Sequence, residues 1–293
     1  MTTPFLSIVI PNYNRCEDVL TLIKSSDADL YPEIEFVICD DSTETSISNR
    51  LQNKLAEFKM VRYIKNDKNL GLVKNWNKSL YHATGDWICL MCCDDQFQSG
   101  AVHKLICLLK TLKEPHLILQ DPTIAKQYTY KQAGHNTALS LRLPIASGNV
   151  IHKKIYETLG GFDDELRYSP DGEYWYKIAC HYPVVLSKDY IARYIRHSGN
   201  YMWETWLKDD FILQCKLVSE KVAQHCSLND KDKLKHIHNQ VNTTILTILY
   251  NSLQPLSLKL ISRYLPVLII NNLNPLKLYQ LIKSIFKMYK LHS

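Results

Sequence analysis

The chain has no apolar run approaching the roughly 20 residues that cross a bilayer, which argues against a membrane-spanning helix. No basic lead or small-residue cleavage site precedes Phe5-Leu-Ser-Ile-Val-Ile10, so the expectation is a cytoplasmic protein. A disulfide framework is also missing. The nine cysteines (16, 39, 89, 92, 93, 107, 180, 215 and 226) are odd in number and mostly embedded in apolar stretches, the pattern of free buried thiols in a reducing compartment. Cys89 and Cys92 have the spacing of half a zinc site, but no second pair follows. There is no internal repeat and no low-complexity tract. Acidic residues are absent from 255–293, which hold Lys259, Arg263, Lys277, Lys283, Lys287 and Lys290. Those six cations equal the whole formal net charge of +6, so the rest of the chain is balanced.

What is present suits one large core, or one core with an appendage: 293 residues, 46% of them hydrophobic. Over the first 120 residues β-rich runs at 5–10, 34–39, 60–64, 86–92 and 116–119 alternate with helical patterns near 16–26, 45–58, 72–83 and 99–112. Such alternation predicts an α/β fold, a mostly parallel sheet wrapped by helices with right-handed crossovers. Ligands of such sheets bind at the strand carboxyl ends, where the strand order switches. Residues 121–146 lack a strong period and read as a loop or lid. A strand at 147–152, a helix from Tyr156 to Phe162 stopped by Gly160-Gly161, a helix over 171–181 and β-rich stretches at 183–187 and 190–196 follow. From about 203 the pattern turns to long helices, at 205–226, 230–252, 256–264 and 275–291. The expected division is a catalytic domain over 1–200 and a helical extension over 201–293.

Asp94-Asp95 directly follows the apolar run Trp87-Ile-Cys-Leu-Met-Cys-Cys93. Two carboxylates at the end of a buried strand are costly without a positive partner. Mg²⁺ or Mn²⁺ fits, since such ions take one or two protein carboxylates and leave the remaining positions to substrate phosphates. A solvated Asp-Asp turn also fits. Two further strand-end loops are polar, Pro11-Asn-Tyr-Asn-Arg15 and Asp40-Asp-Ser-Thr43. Strands lie about 4.8 Å apart, so the three loops can surround one nucleotide, with Tyr13 stacking on a base and Asp41 accepting a pyrimidine N–H. Loop packing for Tyr13 and helix capping for Asp40-Asp41 are the structural alternatives.

Taken together, Ser7-Ile-Val-Ile-Pro-Asn-Tyr-Asn-Arg15, Cys39-Asp-Asp-Ser-Thr43, Asn69-Leu-Gly-Leu-Val-Lys-Asn-Trp-Asn77, Ala83-Thr-Gly-Asp-Trp-Ile88 and Asp94-Asp95 resemble, in order, the family 2 glycosyltransferases of GT-A fold. The resemblance covers about residues 5–200. It implies a Rossmann-like GT-A domain that transfers a sugar from a nucleotide-sugar donor to an acceptor hydroxyl, with inversion at the anomeric carbon. It implies donor contacts from Pro11, Tyr13, Asn14 and Arg15, base binding by Asp41, ribose binding by Asp94 and a metal, Mn²⁺ or Mg²⁺, on Asp95. Cys93 stands where many relatives have a further acid. Lys74 and Gly71, near a helix N-terminus, can face a phosphate, although a solvated helix surface explains Lys74 equally well.

Inverting transfer needs one general base and no protein nucleophile. In the family this base opens a helix after a Gly-Gly-Phe-Asp stretch. Here Gly160-Gly-Phe-Asp163 leads to Ser169-Pro-Asp-Gly-Glu173, and Asp171 matches the catalytic position, with Glu173 the fallback. Pro170 replaces an acid common in relatives, though it suits a helix start. Gly148-Asn149 resembles the acceptor-side strand. His197 resembles a late histidine that touches the metal or diphosphate, and imidazole suits Mn²⁺ better than Mg²⁺.

The tail segments Lys259–Leu265 and Leu276–Leu291 have an apolar face and an acid-free basic face. They fit an anionic membrane surface, or a helix packed on the catalytic domain or on a partner. A membrane location would suit a glycan or lipid-linked glycan acceptor, with a bacterial surface polysaccharide the destination by analogy. Nucleic-acid binding is not expected, because the charge is confined to one tail. UDP- or dTDP-sugar is the expected donor. The competing readings are a catalytically degenerate sugar-nucleotide-binding or assembly subunit, and a nucleotidyltransferase. The last would carry a glycine-rich loop after strand one, which Pro11–Arg15 lacks.

Overall fold

The computed structural model describes residues 4–121, 123–141, 146–195, 197, 205–206, 208–233, 236, 241 and 244–245. The chain divides into two compact units, Met1–His197 with His225–Ser227, and Ser198–Gln224 with Leu228–Ser293.

The first unit is built on one eight-stranded sheet in the order β3-β2-β1-β4-β8-β6-β9-β7. β1 (Leu6–Asn12) and β2 (Ile34–Asp40) are buried along their whole length. Such continuous apolar runs mark strands covered on both faces. β3 (Val61–Lys65), β2, β1 and β4 (Trp87–Leu90) run parallel. Beyond β4 the sheet is mixed. β8 (Asn149–His152) runs antiparallel between β4 and β6 (Leu117–Gln120), and β9 (Val184–Ser187) pairs parallel with β6. Of these eight strands β8 and β7 (Tyr128–Lys131) run against the other six, so the sheet is mostly parallel, as expected.

Helices α1 (Cys16–Lys24), α2 (Thr45–Leu55), α3 (Leu72–His82) and α4 (Ala101–Leu109) fill the crossovers. α1 buries Val19, Leu20 and Ile23 at helical spacing, and these join Leu6, Ile8, Phe36 and Leu105 in one core. α6 (Lys153–Leu159) and α7 (Pro170–His181) follow β8. Residues 121–146 carry more structure than a lid. They contain β7 (Tyr128–Lys131), antiparallel at the edge beside β9, and α5 (His135–Ser140), which packs against α7. Of the stretch 190–196, Ala192–Arg193 (β10) pairs antiparallel with Gln96–Phe97 (β5) in a second, two-stranded sheet.

In the second unit, the expected helix over 205–226 is found as α8 (Phe211–His225). The expected helices at 256–264 and 275–291 lie outside the described residues, as does most of 230–252. No helix among the described residues is long and apolar enough to cross a membrane.

Strand order reverses at β1, whose neighbours are β2 on one side and β4 on the other. The carboxyl ends of β1, β2 and β4 thus share the edge where open α/β sheets bind ligands. Asp40, fully buried there, is the anchor of that edge. Its carboxylate accepts from Asn12 Nδ2 (2.9 Å), Ser42 N (3.1 Å), Ser48 Oγ (2.6 Å) and Tyr63 OH (2.6 Å), and from Ser42 Oγ. Burial alone would raise its pKa, but the bonds from Ser42, Ser48 and Tyr63 outweigh it and hold the carboxyl below its ordinary value. Burial, and then the hydrogen bond to Asp40 and its charge, push the Tyr63 phenol upward.

Asp40→Asn keeps the shape but turns an acceptor toward its donors as a second donor. It should cost about 2–4 kcal/mol by thermal or denaturant unfolding. A carboxyl lowered on folding contributes stability that is present above its unfolded pKa of about 4. The penalty should therefore be full at pH 7 and shrink as pH falls through the folded value.

Candidate active site

The first loop is fixed from β2. Asn14 takes a left-handed conformation (φ 56°), and its N–H donates to Ser42 Oγ at 2.7 Å. Its side-chain carbonyl accepts from Thr43 N at 3.1 Å. Asparagine tolerates this conformation better than most residues. Tyr13 beside it is 51% exposed, a free-standing ring at the strand-end edge. Pro11 is buried in β1 opposite Cys39. The Arg15 guanidinium pairs with Asp18 at 3.0 Å and also feels the charge of Asp94.

Asp41 lies inward, only 2% exposed. Oδ1 accepts from Asn66 Nδ2 (2.7 Å) and Leu70 N (2.8 Å), and Oδ2 from Leu70 N (3.0 Å) and Gly71 N (2.9 Å). These bonds fasten the loop entering α3, where Gly71 has φ +81°, a conformation that favours glycine. Asn75 of α3 ties the same loop to β1 and β2 by donating to the Asn12 and Cys39 carbonyls. Two amide oxygens at this edge, Asn12 Oδ1 and Asn66 Oδ1, are buried without a hydrogen-bond partner. Lys74 is exposed on the first turn of α3.

At the end of β4 the chain turns through Cys92 and Cys93 to Asp94 and Asp95. Pairing of β5 with β10 is followed by Ile195 and His197, which both reach this turn. Asp95 is 3% exposed, and its Oδ1 accepts from Ile195 N at 3.1 Å. Burial pushes its carboxyl up to about 6, against the lowering effect of hydrogen bonds from Ile195 and Ser147. Asp94 is partly exposed and meets His197 Nε2 at 3.0 Å through Oδ2. His197, expected to touch the metal or the diphosphate, meets the acidic turn at Asp94.

Asp171 opens α7 behind Pro170, whose missing N–H costs nothing at a first helical turn. Burial raises its carboxyl to about 6, in spite of hydrogen bonds from the backbone of Gly172 and of Asp171 itself. Its neighbour Glu173 is 2% exposed and engaged, with Oε1 accepting from His225 Nε2 at 2.5 Å and Oε2 buried without a partner. Asp171 keeps partial access to solvent, whereas Glu173 does not.

Cys92 links the two acidic groups. Its thiol is held well above the ordinary range by burial and then by the charges of Asp95, Asp94 and Asp171 together. All three carboxylates thus lie near enough to Cys92 for their charges to act on its thiol. Of three supporting residues, the sequence pattern singled out Asn149 but neither Ser147 nor Gln120. Ser147 Oγ accepts from Cys92 N at 3.0 Å. Gln120, at the end of β6, donates to Ser147 O (2.7 Å) and accepts from Ile191 N and Ala192 N, which aims β10 at the acidic turn. Asn149, in the acceptor-like strand, is buried and donates to Ala146 O at 3.3 Å. A polar residue ending a buried strand is the pattern that marked Asp94, and Gln120 shares it.

Among the described residues no three His, Cys, Asp or Glu side chains converge as a complete metal cage. The donor set still fits a hard divalent cation that keeps waters and substrate phosphates. It offers hard carboxylate oxygens and one imidazole, with a desolvated Asp95 that a cation would relieve.

A model of Glycosyl transferase family 2 matches residues 7–152. A Campylobacter jejuni protein named GalNAc(5)-diNAcBac-PP-undecaprenol beta-1,3-glucosyltransferase is 27% identical over 104 residues, 35% of this chain and 34% of that one. The chain spans about a third of that relative's length. Chondroitin synthase of Escherichia coli is 24% identical over 185 residues, 60% of this chain and 26% of that one. S. aureus TarS 1-349, solved in complex with UDP-GlcNAc, superposes with a TM-score of 0.59 at 16% identity, over 87% of this chain and 76% of that one. The Pyrobaculum calidifontis mannosyltransferase PcManGT, solved with GDP-Man and Mn²⁺, gives 0.55 at 13% identity, over 97% and 85%. At such identities the likeness is one of fold.

A buried acid raised on folding binds its proton more tightly in the folded state than in the unfolded one, so stability falls as pH climbs from about 4 to 6. Asp171→Asn should therefore unfold later than wild type at pH 7.5, by about 1–3 kcal/mol, with the gain gone below pH 4. Denaturant unfolding at the two pH values reads it.

Proposed function

Since the chain belongs to glycosyl transferase family 2, we propose that it moves a sugar from a nucleotide-diphosphate sugar to an acceptor hydroxyl with inversion. The observation that carries this reading is the pairing of two kinds of acid at one sheet edge. Asp94-Asp95 follows a central strand, Asp171 opens α7 with a raised pKa, and the charges of all three reach Cys92.

Asp171, at about 6, is ionised at neutral pH yet holds a proton more readily than a surface carboxylate, which suits a general base for a sugar hydroxyl. Tyr13 offers an exposed ring to the donor base, and Asn14 fixes the turn that presents it. Arg15, beside Asp94, adds positive charge on the phosphate side. Asp41 holds the loop before α3 and thereby the floor of the base site. Asp95 with His197 would hold Mn²⁺ or Mg²⁺, which supplies positive charge to the diphosphate leaving group, and Asp94 is the ribose-side carboxylate. The uridine or thymidine donor is supported by the fold likeness to TarS, solved with UDP-GlcNAc. A glycan or lipid-linked glycan acceptor is supported by the name of the C. jejuni relative. The six cations of 255–293, with no acid among them, support peripheral attachment to an anionic membrane surface on the cytoplasmic side.

Binding of a nucleotide-sugar panel with Mn²⁺, Mg²⁺ or chelator tests the reading. One UDP- or dTDP-sugar should bind with metal, and chelator or Asp95→Ala should weaken it at least tenfold. Asp171→Asn should leave that binding unchanged while slowing transfer or donor hydrolysis about 10²–10⁴-fold. Absence of donor binding with metal present would favour the assembly-subunit reading.

A further inference from the structure

We propose that Asn77 is a positioning residue, a carboxamide clamp by which the donor-side helix α3 sets the place of Asp171. The inference rests on the reading of Asp171 as the base. Asn77 Oδ1 accepts from Phe162 N at 2.8 Å, and its Nδ2 donates to Phe162 O at 2.8 Å and to Asp164 Oδ1 at 3.1 Å. The side chain thus pairs with both main-chain groups of one residue, as a neighbouring strand would. Gly161 is required by the same contact, because a Cβ there would collide with Asn77 Oδ1.

The clamped residue transmits the constraint. Phe162, 4% exposed, packs edge-on against Trp76 of α3 at 5.1 Å between centroids. On its other side it meets Tyr174 at 4.6 Å and Trp175 at 5.8 Å, both in α7. Tyr174 OH closes the link by donating to Gly160 O at 2.8 Å. Asp171 lies one turn before Tyr174 in that helix, so its position follows that of Phe162. α3 begins at the loop that Asp41 fastens, so one short helix carries both the donor-loop anchor and the clamp. Misplacement of a reacting group by about 1 Å costs on the order of 10²-fold in rate, which the three hydrogen bonds and the aromatic stack prevent.

The test compares metal-dependent UDP binding with hydrolysis of the nucleotide sugar selected by the panel. Asn77→Ala should bind UDP with Mn²⁺ within about twofold of wild type. Its hydrolysis should fall at least tenfold, with the pH midpoint moving from about 6 toward 4 as Asp171 gains water. Gly161→Ala should show the same loss, and in the Asn77→Ala background it should add nothing, because the colliding atom is gone. Should Asn77→Ala not fold, Asn77→Asp keeps the volume and the acceptor for Phe162 N but loses both donations, and it is read by the same split. Wild-type hydrolysis in the clamp variants, a parallel loss of UDP binding and hydrolysis, or equal harm from Gly161→Ala in both backgrounds would overturn the clamp. If instead Asp171→Asn hydrolyses like wild type, the base assignment is what fails, and the clamp's catalytic role goes with it.

Discussion

The Asp40 carboxylate, closed in at the end of β2, is the interaction on which the rest of this edge depends. Its donors come from β1, from the turn after β2, from α2 and from β3. A buried charge with so many donors is stabilised as an anion, and removing any one donor leaves the remainder poorly placed. Ser42, held by Asp40, in turn accepts from Asn14 N and keeps the first loop in its left-handed turn. Asp41, next in the chain, turns its side chain elsewhere and takes the backbone of the loop before α3. Two adjacent acids thus build two different loops.

The acids across the edge are arranged to the opposite effect. Asp95 and Asp171 are desolvated without enough donors to offset it, so both rise to about 6. The fold carries a standing cost at each, and a cation or a proton from an acceptor would relieve it. Asp40 and Asp41 are supplied with donors on both oxygens, whereas Asp95 and Asp171 are kept short of them. That contrast, more than the number of acids, marks out where chemistry belongs.

Much of the sheet was legible because its strands are continuous apolar runs. β1, β2, β4, β6 and β9 are buried at every position. β7 was not legible: Tyr128–Lys131 lies at the sheet edge, partly exposed, and no apolar period announces it. α5, with six residues, is too short to show one. The two-residue strand β5 lies below any sequence signal, whereas β10 falls within the β-rich stretch at 190–196, and their pairing brings His197 to Asp94 and Ile195 to Asp95.

The candidate site divides in the same way. The amino-acid order by itself determined which acids end a buried strand or open a helix, because burial pattern and helix-start chemistry are local properties of the chain. It therefore put Asp94 and Asp95 forward, together with the alternation that orders the sheet, while Asp171 came forward through the resemblance to the family. Tertiary structure alone decided which partners each acid keeps. Asp40 and Asp41 are saturated by residues up to 30 positions away, His197 reaches Asp94 across 103 positions, and Asn77 holds Phe162 across 85. Hydrogen bonding and desolvation are set by what packs around a group in space. No local pattern records those neighbours, so the pKa of each acid and the clamp behind Asp171 become visible only once the sheet has closed over them.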